Sequence, residues 1–371
     1  MNYRERLQRV RQLLAERGLT GCIVSSPENI RYLSGFSAGA DGWLFVDQDI
    51  CAVLTDGRYW AQVAQQCQQA ELIEYRSHDD GCWAKCLASW LKKRAWRGKL
   101  GFESCVLYEV YASMAENLAE QDGLVSLGSD LDGLRLIKSA EEIALIRKAA
   151  EIADTGWREA VKTMRVGMTE NAFCAALEYH MKLAGAAKTS FDTIVASGPN
   201  GAYPHAGVTE RPFAEGELIT VDFGAVYQGY CSDITRTVWL GSLDEKSLNI
   251  FRVVKKAHDT ALDAVRPGYR GFEVDKIARD IIAEAGFGEA FSHSLGHGVG
   301  LAVHEAPGLR KESQTLLQAG MLVTIEPGIY LPGVGGCRVE DLTALTETGR
   351  EVLSRSPYQE PGQIHPAESF V

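Results

Sequence analysis

The chain has 371 residues, 46% of them hydrophobic and 23% charged, with a formal net charge of −11. That length and balance predict a globular protein of two domains. The acidic surplus argues against nucleic acid, which needs clustered Lys and Arg, and no run approaches the roughly 18 apolar residues of a membrane span.

In chain order, Met1–Leu14 is charged from Arg4 onward and patterns as an amphipathic helix, without the apolar centre of a signal peptide. The nine cysteines are odd in number and scattered; Cys82 and Cys86 lie one helical turn apart, but there is no CxxC pair. Reduced thiols and a cytoplasmic location follow as expectations. Gly21–Val24, Trp43–Val46 and Cys51–Leu54 read as short buried strands, and Tyr59–Ala70 and Trp83–Lys93 as helices. Residues 1–132 therefore predict a smaller α/β domain with no cluster of candidate ligands, suited to oligomer contact or to covering a site. The polar, turn-rich segment Gly128–Gly133 reads as a linker, and residues 133–357 as the second domain. Its start is marked by Ser139-x-x-Glu142, a capping box that opens a long helix to about Thr163.

An internal repeat follows. Arg165–Gly185 aligns without gaps onto Arg266–Gly286, an offset of 101, with four identities in 21 positions. Both blocks share a glycine turn, an amphipathic helix and a closing Ala-Gly. A duplicated unit of this kind places a site between its halves. Two capped helices can also resemble each other by chance.

The last 40% of the chain carries Asp222, Asp233, His297, Glu326 and Glu340, each in its own short motif. Leu218–Val226 and Tyr230–Leu240 read as a hairpin turning at Gln228-Gly229, which brings Asp222 and Asp233 across from one another, give or take a bulge. Two facing carboxylates repel unless a cation lies between them. Val221, Phe223 and Ile234 speak for a buried sheet rather than an exposed pair. His297 sits in the glycine-rich loop Gly296–Gly300, with His293 and His304 nearby. Glu326 ends the apolar run Met321–Ile325 before Pro327-Gly328, and Glu340 falls within a strand from Cys337 to Thr346, where Arg338 is the obvious ion-pair partner. Four carboxylates and one imidazole form a hard ligand set, more than one divalent ion needs, and suit two ions about 3.5–4 Å apart. His205 and His304 are candidates for non-ligand histidines that hold substrate, move a proton or stabilise an oxyanion.

These motifs closely resemble the creatinase/aminopeptidase P/prolidase family of pita-bread metallopeptidases. The resemblance is carried by Pro-His205, Asp222-Phe-Gly, Ser-Asp233-Ile-Thr-Arg-Thr, His297-Gly-Val-Gly-Leu-Ala-Val-His304-Glu, Glu326-Pro-Gly and Arg338-Val-Glu340-Asp, at ligand spacings of 11, 64, 29 and 14. More loosely, Asn29–Phe36 and Thr55–Tyr59 match the amino-terminal half. The resemblance implies a creatinase-like amino-terminal domain with a mixed sheet and an α+β pita-bread domain with a pseudo-twofold repeat. It implies that Asp233 and Glu340 bridge two metals, that Asp222 completes one, and that His297 and Glu326 complete the other. His205 and His304 would flank the scissile bond, His293 would line the proline pocket, and Arg338 would orient the bridging carboxylates. Manganese or cobalt is expected in preference to zinc, and a homodimer is the family expectation. The implied reaction is attack by a metal-bridging hydroxide on the bond preceding a proline at the second position, with Glu326 passing the proton to the leaving nitrogen.

Two positions depart from the pattern. Ala302 replaces an acidic residue common among relatives. Gly308 stands where prolidases often carry an arginine for the substrate's terminal carboxylate, although Arg310 is close. The expectation is therefore an Xaa-Pro aminopeptidase acting on longer peptides, with an Xaa-Pro dipeptidase as the alternative. A non-enzymatic peptide-binding relative and a metal-free creatinase-type hydrolase are disfavoured because all five ligands are kept. A methionine aminopeptidase would not need the leading domain. The tail 358–371 shows no periodic pattern and is assigned no function.

Overall fold

The structure, a computed structural model, describes residues 1–39, 41–76, 81–119 and 121–370. It divides into two compact units, Met1–Arg135 and Leu136–Val371.

In the first unit, α1 (Tyr3–Glu16) precedes β1 (Gly21–Val24), α2 (Pro27–Ser34), β2 (Gly42–Asp47), β3 (Cys51–Asp56), α3 (Trp60–Gln66) and β4 (Glu71–Tyr75). Then come α4 (Trp83–Lys93), β5 (Leu100–Phe102), α5 (Tyr108–Asn117), β6 (Leu124–Ser126) and the single turn α6 (Asp130–Gly133). The strands form a six-stranded sheet in the order β4-β3-β2-β1-β5-β6. It is mixed: β1–β2 and β2–β3 are antiparallel, and the other neighbours are parallel. Ile23, Phe45 and Leu54 pack with Leu87 and Leu91 of α4, and Trp43 stacks on Trp83 with ring centroids 4.5 Å apart. The expected linker belongs to this unit instead. Leu131 is buried, Leu134 O accepts the Tyr32 hydroxyl at 2.9 Å, and Arg135 donates to Asn29. The segment's own polar groups also bind within the unit: Arg17 pairs with Asp130 at 2.5 Å, Asn29 donates to Asp132 at 2.8 Å, and Ser104 Oγ donates to Gly128 O at 3.1 Å.

The second unit opens as its capping box requires: Ser139 Oγ accepts from Glu142 N at 3.3 Å, and Glu142 accepts from Ser139 N at 2.9 Å. α7 (Ala140–Ala160) is followed by α8 (Glu170–Leu183), β7 (Lys188–Thr189), β8 (Ile194–Ser197), β9 (Ile219–Phe223), β10 (Ala225–Tyr227), β11 (Tyr230–Cys231) and β12 (Ile234–Val238). The second half runs α9 (Glu245–Ala264), α10 (Gly271–Glu284), β13 (Gly296–Gly298), β14 (Glu305–Leu309), β15 (Leu322–Ile325), β16 (Gly328–Leu331), β17 (Gly335–Arg338), β18 (Asp341–Thr346) and β19 (Gly349–Val352).

The repeat is structural. The bounds of α8 and α10 differ by 101 at both ends (170 to 271, 183 to 284). Each helix is entered in the same way: Thr169 bridges Pro212 while Gly167 N donates to Phe213 O, and Arg270 bridges Leu316 while Gly268 N donates to Leu317 O. Each half then supplies an antiparallel strand pair, β9–β12 and β15–β18. Two separate cores lie under these halves, around Trp157, Phe173 and Phe223 in one and Ile250, Val254 and Val323 in the other. The carboxy-terminal tail is packed rather than loose. Gln359 Oε1 accepts from Trp239 N at 2.9 Å, and Ile364 O accepts from Gly241 N at 2.9 Å, so one side-chain and one backbone hydrogen bond hold it despite the missing periodicity. Val371 lies outside the described residues.

In the first hairpin, Gln228 (φ 46°) and Gly229 (φ 83°) make the tight turn. Gly224 lets the two arms close: a Cβ there would lie 2.0 Å from the Ser232 carbonyl oxygen. Backbone cannot step aside as a side chain can. Gly224→Ala is therefore expected to destabilise the protein by about 1–3 kcal/mol, the usual scale of overpacking. Thermal unfolding should register this as a lowered midpoint; an unchanged midpoint would contradict the close packing.

Candidate metal centre

Strand register explains how the acidic residues meet. Asp222 pairs directly with Thr235, not with Asp233. Asp233 is two residues from Thr235, so the three share one sheet face, with the carboxylates diagonal to each other. Tyr227–Tyr230 and Asp222–Thr235 keep one continuous register from the two-residue turn, so the hairpin itself sets Thr235, not Asp233, opposite Asp222. In the second half, Ile325 pairs with Asp341, which leaves Glu326 just beyond β15 and Glu340 just before β18. Glu340 is thus in the connection between β17 and β18 rather than inside one continuous strand, and its N–H donates to Thr235 O at 3.1 Å. His297 lies in β13 rather than in a free loop, with its N–H donating to Thr324 Oγ1 at 3.1 Å.

The five side chains converge. Donor atoms of Asp222, Asp233 and Glu340 lie within 4.8 Å of one another, as do those of His297, Glu326 and Glu340. A third such group joins Asp233, His297 and His304, whose imidazole meets His297 edge-on at a centroid distance of 4.3 Å. His297 Nδ1 faces Gly298 O at 3.0 Å, so Nε2 points to Glu326 at 3.2 Å and Asp233 at 3.5 Å. A backbone carbonyl holding one ring nitrogen is the usual way to orient a metal-binding imidazole.

Charge and burial are in conflict here. Asp233 and Glu340 are 4% and 1% exposed. Burial, and then the neighbouring carboxylates, push the carboxyl groups of both well above the ordinary range. Burial acts the same way on Glu326, but the hydrogen bond and charge of His297 outweigh it and hold Glu326 at about 2. His297 in turn is raised: burial opposes its charge, and Glu326 overcomes that. Asp222 Oδ1 and Glu340 Oε1 are buried without a hydrogen-bond partner among the described residues. Unpartnered buried carboxylate oxygens are costly, and divalent cations would satisfy both. The donor set fits two hard ions.

Arg338 does not pair with Glu340. It donates through Nη2 to Asp222 Oδ2 at 2.6 Å, through Nη1 to the Tyr330 hydroxyl at 2.7 Å and to Pro204 O at 3.2 Å, and through Nε to Thr235 Oγ1 at 3.2 Å. β17 ends at Arg338 and β18 begins at Asp341, so Glu340 lies in the connection between the strands and is not a same-face strand neighbour of Arg338. Glu340 Oε2 instead accepts from Thr235 Oγ1 at 2.6 Å. Two groups were missed in the sequence. Tyr330 joins Arg338 to His293 Nε2, which lies 2.9 Å from its hydroxyl. Arg236, fully buried, donates to Glu340 O at 2.5 Å and pairs with Asp341 at 2.8 Å. Their only local signals were a Tyr near Glu326-Pro-Gly and an Arg after Ser-Asp-Ile-Thr; their partners are about 100 residues distant in sequence or across a strand pair.

The centre opens into a cavity of about 510 Å³. His205, His293, His304 and Arg338 line it together with Asp222, Asp233, His297 and Glu326, and Phe191, Ile194 and Ala206 add apolar wall. Burial, and for His304 also the neighbouring His297, hold the imidazoles of His293 and His304 below their ordinary pKa. Neutral imidazoles beside a hydrolytic centre can accept or donate protons near neutral pH.

Comparison with known proteins agrees with this geometry. Residues 144–347 match metallopeptidase family M24, and residues 6–137 match the creatinase/prolidase amino-terminal domain. An Xaa-Pro dipeptidase of Pyrococcus furiosus is 36% identical over 95% of this chain and 98% of its own length. An Xaa-Pro dipeptidase from Bacillus anthracis has a solved structure that superposes with a TM-score of 0.91 at 37% identity, covering 97% of this chain and 99% of that one. An X-Pro aminopeptidase structure from Thermotoga maritima gives 0.86 at 32% identity, covering 95% and 98%. The chain is a metallopeptidase of family M24 and belongs to the creatinase/aminopeptidase P/prolidase group.

Proposed function

We propose that this metallopeptidase is an Xaa-Pro dipeptidase that uses two divalent ions, manganese in preference to cobalt or zinc. The carrying observation is the convergence of five donor side chains, two with unpartnered buried oxygens, on a cavity lined by three further histidines and tyrosine-bound Arg338. Relatives matched over nearly their whole length include proteins named Xaa-Pro dipeptidase. The preference for aminopeptidase activity rested on Gly308. There the Arg310 side chain lies across the open position: its Cγ, Cδ and Nε are 3.8–3.9 Å from where a Gly308 Cβ would be. An arginine is thus at hand for a dipeptide's terminal carboxylate, which supports the dipeptidase reading. The Thermotoga relative keeps the aminopeptidase as the second reading.

In this reading Asp222, Asp233, His297, Glu326 and Glu340 would hold the two ions, Asp233 and Glu340 standing between the other three. When bound, the pair supplies a water acidic enough to attack an amide near neutral pH. Glu326 takes the proton and delivers it to the proline nitrogen. His304, neutral and exposed at the mouth, donates to the developing oxyanion, while His205 holds the substrate across from it. His293, fixed by Tyr330, forms the wall against the proline ring. Arg338 keeps Asp222 and Thr235 in place. A cytoplasmic homodimer completes the proposal; among the described residues no helix is long and apolar enough to cross a membrane.

Asp233→Asn and Glu340→Gln are each expected to lower turnover at least about a hundredfold and to reduce bound manganese below two ions per chain, measured by elemental analysis. Near-normal turnover in either would end the two-metal assignment. With manganese, Leu-Pro should be cleaved and Leu-Pro-Ala spared. Cleavage of the tripeptide would favour the aminopeptidase, and cleavage of neither would remove the proposal.

Metal removal has a signed pH dependence. The raised carboxyl groups of Asp233 and Glu340 stabilise the metal-free fold fully below their unfolded pKa values, and that contribution is lost as pH rises through their folded ones. Raised His297 adds a loss in the same direction above its unfolded value, while depressed Glu326 adds nothing further above its own. The melting temperature of chelator-treated protein should therefore fall between about pH 5 and pH 8, and the gap to manganese-loaded protein should widen. A gap that narrows with pH would contradict the buried-carboxylate account.

A further inference from the structure

We infer that Lys138 and Glu305 form a buried anchor that positions His304 for hydrolysis, an inference that rests on the role proposed above for His304. His304 makes no hydrogen bond among the described residues, so its imidazole is located by the backbone that carries it. That backbone is the excursion from Val299 to His304 between β13 and β14. At one point Cys231 N donates to Gly300 O at 2.8 Å, and Gly300 N closes a turn onto Ala302 O at 2.9 Å. Its end is fixed by Glu305, the residue after His304, which pairs with Gly298 across the two strands.

The Glu305 side chain does more than continue a strand. Its carboxylate meets Lys138 Nζ at 2.7 Å, with the two side chains 5% and 2% exposed. It also fills the space above Gly300, where a Cβ would come within 2.3 Å of Glu305 Oε1. Gly298 is open for the same segment: a Cβ there would lie 2.2 Å from Ala306 O. Two glycines of the His-Gly-Val-Gly motif therefore make room for the strand bearing Glu305. Lys138 is fixed at its own end, its N–H donating to Gly320 O at 2.8 Å just before the α7 capping box.

A buried ion pair is seldom worth much net stability, because desolvating both charges offsets their attraction. Its better-attested contribution is positional. Here the position defined is the one residue before Glu305. Lys138 and Glu305 do not touch the cavity, so they are positioning residues and not catalytic ones.

Lys138→Met should lower kcat on Leu-Pro by about a hundredfold, the scale of an ångström-sized misplacement. KM should stay within about threefold and manganese content should be unchanged, while Lys138→Arg recovers most of kcat. Lys138→Met removes the cation facing a buried carboxylate and can fail to fold, so the double variant Lys138→Met/Glu305→Leu, which removes both charges, decides the case. It should fold, bind metal and retain the low kcat. In metal-free protein labelled with 15N-histidine, the His304 imidazole resonance, assigned by its loss in His304→Ala, should move in the double variant. A kcat within about threefold of wild type, or an unmoved His304 resonance, would overturn the anchor. Wild-type protein that cleaves no Xaa-Pro peptide would instead overturn the proposed function, and the resonance would still judge the anchor.

Discussion

Like charges held out of water are the constraint on which this structure depends. Asp233 and Glu340 are almost completely buried, Asp222 and Glu326 stand against them, and two of the carboxylate oxygens have no hydrogen-bond partner among the described residues. Protein donors supply only part of what this cluster requires. Arg338 serves Asp222, Thr235 serves Glu340, and His297 serves Glu326. What they leave open is shaped for cations, and a fold that tolerates such a cluster must be rigid enough to hold it before any cation arrives.

Duplication provides that rigidity. Each half enters its helix through the same bridge and then sends an antiparallel strand pair to the centre. Asp222 comes from β9 and Glu326 from just beyond β15, and Asp233 and Glu340 from just before the second strand of each pair. The halves contribute matching carboxylates, and the two sets meet without any loop having to reach across. Arg236 joins the halves behind the site, bonding Glu340 O and Asp341 from its place in β12. Tyr358 closes the same buried group from the tail by donating to Asp341.

Much of this was legible in the sequence because it is written locally. The capping box at Ser139, the equal helices near 170 and 271, and the five short motifs whose side chains converge depend on residues a few positions apart. The Asp222–Asp233 geometry needed a count from the turn: with Gln228-Gly229 as a two-residue turn, Asp222 falls opposite Thr235 and Asp233 lies diagonal to it. Partner choice was not legible at all. Arg338 is two residues from Glu340 yet bonds Asp222, 116 residues earlier, because chain direction and not sequence distance decides which way a guanidinium points. The segment at 128–133 misled for a related reason: polar residues mark a linker only when their partners are water, and here they were side chains of the same unit.

Hydrolysis and recognition are usually treated as separable, the metal side performing one and the pocket the other. Arg338 makes that separation physically difficult here. The same guanidinium binds Asp222 on the metal side, the Tyr330 hydroxyl that holds His293, and the carbonyl of Pro204 immediately before His205. Any shift of the wall at His293 is therefore transmitted to a carboxylate of the centre through three hydrogen bonds. Substitutions that widen the pocket around His293 must alter the electrostatics felt by Asp222 as well. Specificity in this scaffold is better varied from groups outside that network, and Arg310 beside Gly308, in the role proposed for it, is one such group.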